Sequence, residues 1–333
     1  MNKQLARMLT VILLIVLCIS AAVIYFTFDM RAIKYLSMFN PWSILMALGV
    51  LFIGLFFDAT RLITLTDISG EHLDYKHVVN VVLSNYFLAL LTPGQSGGAI
   101  AQLMFMRKAG VPVPKATVII LVRTIMSILF LFVIVPIIFY FEPALVGWMP
   151  PSVILLVCVA FVSIPVIIIY LMTTQYPEKW LTRLCTRFSE NTQRAIFLWY
   201  RDFQQAAFLI GQNPLRIFKA FLESGLSLLF IYSVVPVFIN GFGVQVPLNV
   251  VMGRMCLLNL VLYFTPTPGG TGVAEGGFLV LFGKLLPDGI VGVTAVLWRF
   301  FCEYIPFILG AIVTIRVFGA DVITQIKSQR KID

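Results

Sequence analysis

Charged side chains inside apolar stretches are the groups of this sequence that could do chemistry. Arg123, Arg254 and Arg299 each lie within such a stretch, and Glu303 follows Arg299 at a spacing that puts both on one helical face. In a bilayer an ionisable side chain costs roughly 2.5–3.5 kcal/mol on insertion scales, so these residues are functional candidates. Because a guanidinium binds phosphate oxygens in pairs and stays charged, the set predicts a site for a phosphate-bearing substrate.

The same charges also have a structural interpretation as ion pairs. Asp58 and Arg61 lie three residues apart near the end of an apolar stretch, and Arg299 with Glu303 has the spacing of a helical pair. Pairing would offset the cost of burying these groups without any ligand. The sequence leaves the structural and the functional interpretation open for both pairs.

Two Gly/Pro-rich breakers interrupt apolar stretches and correspond to each other. Residues 90–102 read LLTPGQSGGAIAQ and residues 263–275 read YFTPTPGGTGVAE, so that Gln102 falls opposite Glu275. Paired interruptions in two halves of a membrane protein point to a transport site. The breaker residues predicted to line that site are Pro93, Gly94, Gly97, Gly98, Pro266, Pro268, Gly269, Gly270 and Gly272.

Each breaker is predicted to open a short half-helix, beginning after Gly98 and after Gly272. Backbone N–H groups at such N-termini favour an anion. Glu275, just inside the second half-helix, is expected to accept a cationic headgroup or to gate with a proton; the alternative is that it caps its own helix. Gln102 joins Glu275 and the charged residues in the predicted substrate-binding set.

Composition identifies the class of protein. The 333 residues are 60% hydrophobic and only 12% charged, and a soluble domain carries about twice that charged fraction. Several apolar runs exceed the roughly 20 residues that a spanning helix needs. The sequence therefore predicts an all-α, polytopic integral membrane protein that forms one membrane domain over 1–333.

About six spanning helices and two re-entrant broken-helix hairpins are predicted. The helices cover about 8–28, 42–64, 117–141, 150–172, 217–240 and 289–317, and the hairpins cover 78–107 and 248–286. Each arm of the first hairpin holds about 14 residues, or about 21 Å of helix, which is less than the roughly 30 Å hydrocarbon core. Residues 42–141 form a first repeat and residues 217–317 a second. Residues 150–219 connect them through the helix 150–172 and a basic, aromatic-rich amphipathic segment, 173–219, for the cytoplasmic face.

The net charge of +9 fits the excess of Lys and Arg in cytoplasmic loops and does not indicate nucleic-acid binding. Placing both termini in the cytoplasm brings every basic segment to one side and gives the two repeats opposite orientations. Such inverted repeats hold their substrate near the midplane of the membrane. Scattered cysteines and two loop histidines predict no metal site, and neither a catalytic constellation nor a cofactor motif is found.

Two segments of the second half resemble a known family. Residues 265–275, TPTPGGTGVAE, and 298–310, WRFFCEYIPFILG, are similar to the flippase-like transmembrane domain of lysylphosphatidylglycerol synthases, and the likeness extends over about 8–320. The family's arginines match at Arg123 and Arg299. The first breaker departs from the family in lacking an acidic residue and an arginine soon after its glycine pair, and no aminoacyl-transferase domain is expected.

The resemblance implies a stand-alone flippase or scramblase, not an enzyme, that moves an aminoacylated or other polar phospholipid across a bacterial cytoplasmic membrane. The alternatives are transport of an undecaprenyl-phosphate-linked carrier lipid, an intramembrane lipid-modifying enzyme and a scaffold without transport activity. Expected partners are membrane phospholipids and a separate lipid aminoacyl-transferase or glycosyltransferase, and a homo-oligomer is left open.

Overall fold

The computed structural model describes residues 39–92, 94–141, 190–287 and 289–329, with four isolated positions at 152, 156, 159 and 163. Helices and turns account for these residues, and no β-strand occurs among them. Four helical stretches are long and apolar enough to cross a membrane, namely Trp42–Ile68, Val113–Ile138, Pro214–Gly241 and Ile290–Phe318. The prediction of an all-α polytopic membrane protein is confirmed. The predicted helix 8–28, and 150–172 apart from the isolated positions, lie outside the described residues.

The described helices run in the following order. They are α1 Trp42–Ile68, α2 Tyr75–Leu91, α3 Ser96–Lys108, α4 Val113–Phe141, α5 Glu190–Gly211, α6 Pro214–Tyr232, α7 Val234–Gly241, α8 Leu248–Tyr263, α9 Val273–Phe282, α10 Ile290–Arg299 and α11 Ile305–Gln329, with a π-helical segment Phe300–Tyr304 between the last two. The second hairpin, predicted to begin at 248, does begin there with α8, whereas α4 begins four residues before the predicted start at 117. Pro114 is the second residue of α4, where its missing N–H would have had no helical partner, so it does not delay the helix.

Two spanning helices predicted as continuous carry local breaks. The helix predicted over 217–240 is interrupted at Ser233, because Pro236 cannot donate to the carbonyl four residues earlier. The helix predicted over 289–317 widens into a π turn, in which the Ile305 N–H reaches the Phe300 carbonyl five residues back. Pro306 follows immediately and again removes a helical donor, which favours the wider turn.

Among the described residues the chain divides into two units. Unit 1 consists of the described residues within Met1–Leu55, Val79–Phe105 and Leu229–Asp333. Unit 2 consists of those within Phe56–Val78 and Met106–Leu228. Both breakers belong to unit 1. The single domain and the two repeats drawn from the sequence stay predictions.

Within unit 1, α2 and α3 form a hairpin whose arms approach closely. A Cβ on Gly98 would fall onto the side-chain oxygen of Asn85 and lie 3.1 Å from the Cβ of Ala89. Gln102, one turn further along α3, donates to the same Asn85 oxygen at 2.7 Å. The start predicted after Gly98 is wrong: α3 begins at Ser96, and its glycines let the first turn lie against α2.

The second hairpin and the last helices complete unit 1. Arg254 of α8 donates a hydrogen bond to the Leu281 carbonyl of α9 and so links the two arms of the hairpin. The last helix also approaches α2 closely, since a Cβ on Gly310 would lie 3.0 Å from the Cβ of Phe87. The rings of Phe87 and Phe307 reinforce this contact with their centroids 5.3 Å apart.

Unit 2 is built from the second half of α1 together with α4, α5 and α6. The Phe130 ring of α4 lies where a side chain on Gly225 of α6 would be, and it also contacts Phe221, with centroids 6.0 Å apart. Helix α5 is the described part of the predicted amphipathic segment 173–219, and it packs against α4. Residues 173–189 of that segment lie outside the described residues.

The close approach of α2 and α3 predicts that Gly98→Ala destabilises the protein. The new methyl group would push on Asn85 and Ala89, and overpacking of this kind costs about 1–3 kcal/mol. The free energy of unfolding, measured by denaturant titration in detergent micelles, should fall by that amount. Gly49→Ala is the matched control, because a Cβ there meets no heavy atom within 4 Å. Equal effects of the two substitutions would contradict the packing described.

Candidate functional site

Unit 1 contains a buried guanidinium. Arg299 is the last residue of α10, and its Nε lies 3.2 Å from Oε1 of Glu275. Its Nη1 donates to the carboxylate of Glu303 and, at 2.9 Å, to the carbonyl oxygen of Gly269. Arg299, Glu275 and Glu303 are called the Arg299 cluster below. Two carboxylates predicted from the sequence as substrate-binding therefore both contact the predicted Arg299.

Glu275 has a second contact, with the backbone at the start of α9. Its Oε2 accepts a hydrogen bond of 2.7 Å from the N–H of Gly272, which precedes the helix with a φ of +85°. A carboxylate at this place satisfies a donor that the helix leaves unpaired and interacts favourably with the helix dipole. The alternative that Glu275 caps its own helix is thus correct, and the same side chain also pairs with Arg299.

The second breaker presents its backbone to Arg299 because glycine occupies the contact position. Gly269 has a φ of +56°, which disfavours any residue with a Cβ, and such an atom would also strike the Leu90 side chain. Leu90 is the first residue of the first breaker and lies near the end of α2. Both breakers therefore meet at this point of unit 1, with the Gly269 carbonyl turned to the guanidinium.

Several buried polar atoms of this region have no hydrogen-bond partner among the described residues. They are Nη2 of Arg299, Oε1 of Glu275 and the hydroxyl oxygens of Thr267 and Thr294. The Glu275 oxygen is near enough to Arg299 Nε for an ion pair but is not aligned for a hydrogen bond. Buried polar groups are nearly always hydrogen-bonded in proteins, so the open donor and the open acceptor here each call for a polar partner.

A second charge cluster lies in unit 2. Asp58 pairs with Arg61 on its own helix and with Arg123 of α4, and all three residues are buried. Arg61 also donates to the hydroxyl groups of Ser127, at 2.5 Å, and Ser224, at 3.0 Å. The predicted pair of Asp58 and Arg61 is confirmed, and Arg123, predicted as a substrate contact, shares its carboxylate.

Sequence reasoning missed the polar partners of this cluster. Ser127 follows Arg123 by four residues, so the helical spacing could have identified it. Ser224 had no such signal, because only the packing of α6 brings it to Arg61. The neighbouring Glu223 accepts a hydrogen bond from Thr64 at 2.9 Å and lies 3.8 Å from the Lys219 ammonium.

The other predicted site residues are placed differently. Arg254 and Gln102 link the arms of their own hairpins, as described above. The sequence alignment of Gln102 with Glu275 does not carry over to structure, because α3 begins four residues after Thr92 whereas α9 begins eight residues after Thr265. Four of the breaker glycines have positive φ, namely Gly94, Gly269, Gly270 and Gly272. The second breaker also contains Pro266 and Pro268 in its non-helical part, whereas Gly97 lies in the first turn of α3. Pro93 is outside the described residues.

The two breakers nevertheless end their preceding helices in the same way. The hydroxyl of Thr92 donates to the Leu88 carbonyl at 2.8 Å, and that of Thr265 donates to the Val261 carbonyl at 3.0 Å. Thr92 also accepts a bond of 2.7 Å from the Gly97 N–H. The correspondence read from the sequence therefore holds up to the threonines and fails beyond them.

Comparisons with known proteins identify a family of membrane regions that includes these features. The family model described as the lysylphosphatidylglycerol synthase TM region matches residues 12–310, a range that contains both breakers and every member of both charge clusters. A UPF0104 membrane protein from Archaeoglobus fulgidus is 19% identical over 267 residues, which cover 76% of this chain and 80% of that protein. The matches agree with a multi-pass membrane protein that has a lipid-related role.

The geometry of the second cluster predicts that Asp58→Asn is strongly destabilising. The substitution removes the carboxylate that pairs with both guanidinium groups, and breaking a buried ion pair from one side costs about 3–5 kcal/mol. Denaturant titration in micelles measures the loss. Asp67→Asn on the same helix is the control; its side chain is 40% exposed beside His72, and a change within about 0.5 kcal/mol is expected. A similar small loss for Asp58→Asn would show that the cluster does not stabilise unit 2.

Proposed function

We propose that this chain is a flippase or scramblase that translocates polar or aminoacylated phospholipids across the cell membrane. The premise is that the chain belongs to the lysylphosphatidylglycerol synthase transmembrane-region family. The polar headgroup passes along the broken helices of unit 1 while the acyl chains stay in the lipid. The protein acts as a transporter, with membrane phospholipids as substrates and a separate enzyme supplying any aminoacyl group.

One observation carries this proposal: the open Nη2 donor of Arg299. The residue is 2% exposed, and its other nitrogens face two carboxylates and a backbone carbonyl. The Nη2 group can donate to an acceptor oxygen in the plane of the guanidinium. In this proposal that acceptor is a phosphate oxygen of the lipid. Arg123 and Arg254 were predicted as further phosphate contacts; their described partners are Asp58 and the Leu281 carbonyl.

The lengths of the helices around the second breaker support a re-entrant arrangement. Helix α8 has 16 residues and α9 has 10, which correspond to about 24 Å and about 15 Å of helix against a hydrocarbon core of roughly 30 Å. Irregular backbone at membrane depth needs protein groups or water to satisfy it. In this proposal both breakers turn inside the membrane, within repeats of opposite orientation.

The distribution of basic residues supports the sidedness of the proposal. Lys327, Arg330 and Lys331 crowd the end of the sequence, and Lys3 and Arg7 stand at its start. Cytoplasmic segments are rich in Lys and Arg, so both termini are assigned to the cytoplasm.

The proposal predicts that Arg299→Ala slows lipid exchange. A hydrogen bond to a charged group contributes about 1.5–3 kcal/mol, and its loss corresponds to a rate lower by about ten- to hundredfold. Proteoliposomes that carry a headgroup-labelled lipid report the rate when an impermeant quencher is added outside. Arg299→Lys should remain slow, because an ammonium lacks the planar fork. Arg107→Ala, which removes an exposed arginine at the end of α3, is the control.

The lipids used in this assay separate the alternatives. Exchange of phosphatidylglycerol or its aminoacylated form supports the proposal, whereas exchange of undecaprenyl phosphate alone supports the carrier-lipid alternative. A change in the mass of the lipid would identify an enzyme instead. Wild-type exchange by a folded Arg299→Ala variant would contradict the assignment of Arg299.

A further inference from the structure

We propose that the Arg299 cluster is a proton-binding site and that Glu303 holds the proton at neutral pH. This inference concerns a ligand other than the lipid, and it stands on the charge balance and geometry of the cluster. The cluster contains one guanidinium and two carboxylates, so full ionisation would leave one uncompensated negative charge.

That excess charge lies in an apolar environment. The side chains of Arg299 and Glu275 are 2% and 3% exposed. Trp298 and Phe301, on either side of Arg299 in the sequence, are also buried. Burial disfavours the charged form of a carboxyl group, and a second carboxylate nearby disfavours it further. Two carboxylates that face one cation in such a place therefore favour sharing one proton, which removes the excess charge.

The contacts decide which carboxyl group carries the proton. Glu275 already has several partners, since it accepts the Gly272 N–H at 2.7 Å, lies at a helix N-terminus and faces Arg299 Nε. Glu303 has one hydrogen-bond donor among the described residues, the Arg299 Nη1 that it shares with the Gly269 carbonyl. The proton therefore belongs on Glu303.

The position of Glu303 also allows its proton to exchange. Its side chain is 20% exposed, against 2–3% for its two partners. It lies on the π-helical segment Phe300–Tyr304, and single π turns inside α-helices are frequent at functional sites. Carboxyl groups of this kind serve as proton carriers in membrane transporters.

The remaining titratable groups around Glu303 supply no second cation. Cys302 and Tyr304 flank it in the chain, and Cys302 lies against the Ile231 carbonyl at 3.5 Å and near Tyr232 of α6. Helix α9 contributes Glu275 as its one ionisable residue, and α7 contributes none. Among the described residues Arg299 is thus the cation available to this pair of carboxylates.

A proton fits this site better than a metal cation does. A sodium or calcium ion needs about six oxygen ligands, and the described residues contain no group of three or more His, Cys, Asp or Glu side chains that could hold a metal ion. The guanidinium already occupies the space between the two carboxylates. A proton neutralises the excess charge and needs one oxygen only.

Protonation of Glu303 would strengthen the attraction of Arg299 Nη2 for a phosphate, a consequence that rests on the proposed function. With a proton on Glu303, the negative charge of the cluster falls by one, and a phosphate meets less repulsion as it approaches Nη2. Lipid exchange should therefore be slower above the pH at which Glu303 loses its proton.

Infrared spectroscopy of the purified protein in lipid nanodiscs tests the proton directly and does not depend on transport. The wild-type protein should show the carbonyl stretch of a protonated, buried carboxyl group at neutral pH. The band should disappear in Glu303→Gln, which keeps the shape of the side chain, and persist in Glu71→Gln. Glu71 is a suitable control because it pairs one-to-one with Lys115 at 2.6 Å.

Each outcome bears on the proposal. Absence of the band from the wild-type protein at neutral pH overturns it without any need for a folded variant, and so does a band that survives Glu303→Gln. A band that disappears when sodium is added would overturn it in favour of a metal cation, and an equal band with and without sodium supports it. The band does not require lipid exchange, so a failure of the proposed function would leave this result intact.

Discussion

The structure of unit 1 depends on compensating one guanidinium inside an apolar body. Arg299 is among the largest fully buried side chains of the described chain, and a bare cation there would be prohibitively costly. Two carboxylates and a backbone carbonyl surround it. Each of these groups comes from a different place: the N-terminus of α9, the π turn and the second breaker. These irregular segments of unit 1 therefore all contact the guanidinium of Arg299.

That convergence explains why the broken backbone is tolerated. A buried non-helical carbonyl requires a donor, and the Gly269 carbonyl receives one from Arg299. The first N–H groups of α9 also need acceptors, and Glu275 satisfies one of them. The breaker and the charge cluster therefore satisfy each other's buried polar groups.

Much of this architecture could be predicted from the sequence, because its strongest signals are local. Apolar length identified the spanning helices, and Pro/Gly content identified the breakers. The i,i+3 and i,i+4 spacings identified the pairs of Asp58 with Arg61 and of Arg299 with Glu303. What could not be predicted was tertiary: that Asp58 also reaches Arg123, that Ser224 reaches Arg61, and that Gly269 offers its carbonyl to Arg299. Such contacts depend on the rotation and depth of each helix, which no short spacing encodes. The π turn was missed for a related reason, since Pro306 marks an irregularity but does not specify its form.

The central claim is that the Nη2 group of Arg299 binds a lipid phosphate. Solid-state NMR on nitrogen-15-labelled protein in phosphatidylglycerol bilayers measures this contact as dephasing of an arginine side-chain signal by lipid phosphorus. The account predicts one strongly dephased guanidinium signal that is missing from the spectrum of Arg299→Lys. A spectrum in which the Arg299 signal is present and not dephased would contradict it.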